Sequence, residues 1–101
     1  MNIFNVPNLP LTEELTEILA QNKNVRIERI LSSGQVSPDG FWYDQGENEF
    51  VVLLQGEAVI EYENDHIKLI VGDTLLIPAH QKHRVSFTSA EPPCIWLCIF
   101  Y

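Results

Sequence analysis

From residue 25 onward the chain is a succession of short β-forming runs, none able to bury a face by itself. NVRIERILS, EFVVLLQ, EAVIEYE, HIKLI, GDTLLIP, HRVSFTS and CIWLCIFY follow one another. Turn chemistry separates them: Ser32-Ser33-Gly34, Pro38-Asp39-Gly40, Gly56, Asn64-Asp65, Gly72 and Pro92-Pro93. About seven strands at this spacing predict an all-β sandwich or barrel. Strand and helix do not alternate, so a dinucleotide-binding fold has no support. In EAVIEYE, Ala58, Ile60 and Tyr62 share one face while Glu57, Glu61 and Glu63 share the other, which is one buried and one wet face. In HRVSFTS, His83, Val85 and Phe87 fall on one side. Phe50, Phe87 and Trp96 are expected in the core.

EFVVLLQ and CIWLCIFY are apolar on both faces. Each must be central in a sheet, covered by another element, or buried against a second subunit. A homodimer is therefore expected. Ahead of the strands, residues 1–10 read as an arm. Leu11, Leu15, Ile18 and Leu19 then fall at i, i+4, i+7 and i+8. That spacing predicts one short helix over LTEELTEILAQN, with Thr12 as its cap. The expected organisation is a single domain, with arm and helix in residues 1–24 and the barrel in residues 25–101.

Composition narrows the partners. The chain has 101 residues, 46% apolar and 20% charged, as a folded domain does. Its net charge is -8, with six scattered Lys and Arg, so phosphate backbones and anionic membranes would be repelled. A small molecule is the expected partner, and neither nucleic acid nor a membrane is. No apolar run approaches the roughly 20 residues of a membrane span. The N-terminus lacks the basic start and apolar centre of a signal peptide, so a cytoplasmic location is expected. Cys94 and Cys98 would lie about 13 Å apart in one extended strand, too far for a disulfide, and read as small buried apolar groups.

The candidate chemistry lies in GFWYDQGENEFVVLLQG and GDTLLIPAHQKH. Tyr43, Gln45 and Glu49 share parity, so an unbroken strand points all three one way. Glu49 is followed after six residues by Gly56. Gly72 is followed after five by Pro78, and His83 stands five positions beyond the proline. A glutamate and a histidine so placed can form a hydrogen-bonded pair, hold a metal, or move protons.

On these residues the chain resembles the cupin superfamily, over roughly residues 25–100. The family's motifs read G-x5-H-x-H-x3,4-E-x6-G and G-x5-P-x-G-x2-H-x3-N. The resemblance implies a cupin-type double-stranded β-helix, a jelly-roll barrel. It sets Glu49 and His83 at two ligand positions. Tyr43 and Gln45 stand where the family has histidines, His80 where it has glycine, and Phe87 where it has asparagine. It implies one divalent metal (Zn, Fe, Ni or Mn) held by Glu49, His83 and Gln45, or none. Tyr43, His80, Asp44 and Trp42 are the expected pocket or proton-transfer residues. The function implied is small-molecule binding. The alternatives are a metal-dependent dioxygenase, a metal-free isomerase or epimerase, and a structural or regulatory dimer.

Overall fold

Half-apolar strands need partners along their edges and a cover over their apolar faces. The computed structural model describes residues 1–101 and meets both needs with eight strands. These are β1 Leu15–Gln21, β2 Arg26–Ser32, β3 Glu49–Gln55, β4 Ala58–Tyr62, β5 His66–Leu69, β6 Thr74–Ile77, β7 His83–Thr88 and β8 Cys94–Phe100. One sheet has the order β1-β2-β8-β3-β6 and the other β5-β4-β7, with every pairing antiparallel. The fold is the expected all-β jelly roll. β8 occupies the middle of the larger sheet and β3 lies beside it, which explains two strands apolar on both faces. Val51, Leu53, Trp96 and Phe100 from that sheet pack against Ala58, Ile60 and Leu69 from the other. The β4–β5 hairpin turns at Asn64-Asp65, where the Tyr62 N–H donates to the Asp65 carbonyl at 2.7 Å. No helix is long and apolar enough to cross a membrane.

The expected helix over LTEELTEILAQN does not form; its second half is β1, paired antiparallel with β2. A buried charge on β2 accounts for the change. Arg29 is 5% exposed and needs partners. Its Nε donates to Glu17 at 2.7 Å, and its Nη1 donates to the Ile3 and Asn5 carbonyls at 3.0 and 2.5 Å. Glu17 stands opposite Arg29 only if residues 15–21 run extended beside β2. The same guanidinium ties the N-terminal arm to the outer face of the sheet. Tertiary pairing thus overrides a local helical pattern.

Phe87 and Phe50 also depart from expectation, Phe87 being 47% exposed and Phe50 half-buried on the outer face of the larger sheet, outside the core. The β4–β7 register shifts between Val59 and Ile60, so that His83 and Val85 face inward while Phe87 turns out.

Candidate functional site

Register decides which side chains face the interior. Across the larger sheet, Arg26 pairs with Phe100, Phe100 with Glu49, and Glu49 with Ile77. The next inward row runs from Glu28 through Cys98 and Val51 to Leu75. These rows floor a cavity of about 210 Å³. Ile60 on β4 and His83 and Val85 on β7 form the facing wall, and Tyr43 and Gln45 close it from the segment before β3. Glu14 and Thr16 reach it from the edge at β1.

Glu49 and His83 meet inside, with His83 Nε2 3.6 Å from Glu49 Oε1 and both side chains at least nine-tenths buried. His83 Nδ1 lies 3.0 Å from the Gln81 carbonyl. A carbonyl only accepts, so Nδ1 carries a proton and Nε2 is the atom offered to the cavity. Burial by itself would lower the His83 pKa. The Glu49 carboxylate and the Gln81 carbonyl outweigh burial and hold it above the ordinary histidine value. His83 Nε2 and the Glu49 carboxylate thus face each other at the cavity wall. The Tyr43 ring stacks on the imidazole, with centroids 5.2 Å apart and planes at 24°. A backbone bridge locks that stack: the Tyr43 N–H donates to the His83 carbonyl at 2.7 Å, and the His83 N–H donates back at 3.2 Å.

Anionic charge dominates the surroundings. Burial pushes the Tyr43 phenol up, and Glu14 and Glu49 push it further. Burial, then Glu49, raises the Cys98 thiol well above its usual range, so it stays protonated. Burial also raises the Glu14 carboxyl, offset in part by Ser32.

Tyr43, Gln45, Glu49 and His83 come together at the cavity, although the chain bends at Gly46-Glu47 and β3 begins only at Glu49, so the unbroken strand expected from their parity does not form. Asp44, His80 and Trp42 do not line the cavity. Asp44 and His80 pair with each other on the surface, Oδ1 to Nδ1 at 2.8 Å. His80 has φ 65, a left-handed conformation, at the position where the family motif has glycine. Its N–H donates to the Gln45 carbonyl at 2.7 Å, so the residue clips the Gln45 segment to the cavity rim.

Arg26, Glu28 and Glu14 also line the cavity without having been expected there, and Trp96 and Cys98 line it as the buried residues they were expected to be. One signal was available: VRIERIL carries charge on both parities, so one charged set must face inward. Arg26 is held there by two carboxylates. Its Nε donates to Glu28 at 2.6 Å, its Nη1 and Nη2 donate to Glu47 at 3.3 and 3.1 Å, and its guanidinium lies 4.4 Å above the Phe100 ring.

The donor set bears on a metal. His83 Nε2 and the Glu49 carboxylate are good ligands, and an amide oxygen from Gln45 is a weak one. No group of three or more His, Cys, Asp or Glu side chains converges on one point. Two strong donors do not make the closed set that a tightly held divalent ion requires, and these residues do not fit one.

Comparison with known proteins agrees with this architecture. The profile described as "Cupin domain" matches residues 30–100. Among solved structures, a candidate mannose-6-phosphate isomerase of Ralstonia eutropha superposes with a TM-score of 0.94 at 39% identity, covering 99% of this chain and 94% of that one. A cupin superfamily protein of Desulfitobacterium hafniense superposes with a TM-score of 0.77 at 25% identity, covering 93% and 82%. The EutQ protein of Clostridium difficile shares the fold at 13% identity, with a TM-score of 0.72 and coverage of 87% and 67%. Among curated proteins none matches. With strand order, inward rows and family profile in accord, the chain belongs to the cupin family.

Proposed function

We propose that this cupin binds a small molecule in the cavity between its sheets and holds no tightly bound metal there. One observation carries the reading: a cavity of about 210 Å³ has an imidazole and a carboxylate facing each other at its wall, with apolar and aromatic groups around them. A mostly apolar cleft with a few convergent polar groups is the usual form of such a site. Glu49 and His83 fix ligand orientation, Gln45 contributes an amide, and Tyr43 holds the imidazole in place. Screening a chemically mixed fragment set by amide and imidazole NMR tests this. Shifts should cluster at Glu49, His83, Val85 and Trp96. If no fragment moves those resonances, the reading is wrong.

A second reading is a metal-free isomerase. A relative at 39% identity is described as a candidate mannose-6-phosphate isomerase, and Glu49 with His83 forms a base and an acid facing one space. Deuterium uptake from solvent into a bound carbonyl compound, lost in Glu49→Gln, would support it.

The chain is also proposed to dimerise through the outer face of its larger sheet. Ala20, Ile27, Ile99, Phe50 and Leu76 form one apolar row across all five strands. Leu76 is 51% exposed at its end. A continuous apolar stripe of this kind marks an interface.

A further inference from the structure

We propose that the ligand of this cavity is a small organic cation, a protonated amine or amidine on a compact apolar body, and not a phosphorylated sugar. The inference rests on the small-molecule reading above and names its ligand class.

Glu49 carries the argument. It is 8% exposed and faces the cavity, its neighbouring donors within the chain being only His83 Nε2 at 3.6 Å and the weakly donating Cys98 thiol. A buried carboxylate left this open calls for a donor from outside the chain. Its surroundings specify the sign of that donor. Glu14, Glu28 and Glu49 line the cavity against one guanidinium and one imidazole. The guanidinium is already paired: Arg26 gives its Nε to Glu28 at 2.6 Å and one N–H from each Nη to Glu47, and its face rests on Phe100. An incoming phosphate would meet a guanidinium already neutralised by Glu28 and Glu47 and would sit beside the Glu14 and Glu49 carboxyls. The net charge of -8 extends the same bias beyond the mouth.

The apolar half of the ligand follows from the walls. Tyr43, Trp96 and Phe100 present aromatic surface, which attracts cations as well as hydrocarbon. Size sets the body. A cavity of about 210 Å³ accommodates a compact body such as a six-membered ring bearing an amine.

The test is calorimetric titration of the full chain with probes of one shape and three charges: cyclohexylamine, cyclohexanol and cyclohexanecarboxylate. Mannose 6-phosphate is the fourth probe. Cyclohexylamine should bind at least about tenfold more tightly than cyclohexanol, and the two anions should give no binding heat. Glu49→Gln should weaken the amine by about tenfold. Should that variant fail to fold, Glu14→Gln at the cavity edge should weaken it by severalfold. Amine binding that survives both substitutions is surface adsorption and counts against the proposal. Equal or tighter binding of cyclohexanol, the carboxylate or the sugar phosphate overturns the charge assignment but leaves a small-molecule site standing. Absence of amine binding overturns it too, and the fragment screen then decides separately whether the cavity binds anything.

Discussion

Two glycines of the family motifs have nearly the same backbone conformation and very different surroundings, which allows a controlled experiment. Gly56, which closes the first motif, has φ +89, and Gly72, which opens the second, has φ +90. A side chain at either position meets left-handed strain of about 1–2 kcal/mol. At Gly72 a new Cβ would find nothing within 4 Å. At Gly56 it would lie 2.7 Å from Ser89 Oγ, 2.9 Å from Cys94 Sγ and 3.0 Å from Cys94 Cα. None of these can easily retreat. Ser89 Oγ accepts from the Glu57 N–H at 3.0 Å and donates to the Pro92 carbonyl at 2.6 Å. Cys94 is fully buried and its backbone pairs with Ser32. Overpacking of this kind adds about 1–3 kcal/mol. Gly56→Ala should therefore lose about 2–5 kcal/mol, against about 1–2 kcal/mol for Gly72→Ala. At about 5 °C per kcal/mol for a domain of this size, Tm should fall by roughly 10–25 °C and 5–10 °C respectively. Thermal and urea unfolding followed by circular dichroism measures both. Equal losses, or a smaller loss at Gly56, would refute the claim that Gly56 is needed for close packing as well as for its conformation.

Stability should also depend on pH through His83. Its folded pKa lies above its unfolded value, so the pairing with Glu49 stabilises fully below about 6.5 and is lost as pH rises through the folded pKa. In Glu49→Gln, burial outweighs the Gln81 carbonyl, the shift reverses, and stability should instead rise with pH through the histidine range; urea midpoints with the same slope in both proteins would contradict this. Arg29→Ala should cost about 2–4 kcal/mol and free the N-terminal arm, seen as faster proteolysis before residue 15; unchanged digestion would show that the arm is held by other contacts. Leu76→Arg should convert a dimer to a monomer in sedimentation, and a wild-type chain that sediments as a monomer at micromolar concentration removes the interface. Protein purified without a histidine tag should hold less than about a tenth of an equivalent of zinc, iron, nickel or manganese, and stoichiometric metal would restore the metal-site reading.

The helix expected at residues 11–22 shows where local reading failed. Leu11, Leu15, Ile18 and Leu19 do make a helical stripe, but a stripe records only what one segment would prefer alone. Hydrogen bonding to β2 and the demand of buried Arg29 for Glu17 settle the matter, and both come from outside the segment. Phe87 failed differently. Strict alternation placed it inside, and an extra residue in β7 itself, Ser86 between Val85 and Phe87, turned it out. His80 stands in a left-handed conformation where the motif has glycine, a substitution visible in the chain whose accommodation by Gln45 and Asp44 is not.

By itself, then, the chain of residues settled what depends on neighbours in sequence: strand alternation, turn positions and the two motif glycines. Tertiary structure decided what depends on register between distant segments. Only the pairing of β2 with β8 and β8 with β3 brings Arg26, Phe100 and Glu49 into one inward row, and only the second sheet closes over them with His83. Parity is a local property of an extended backbone; which parity faces inward, and what it meets there, follows from where the other strands lie.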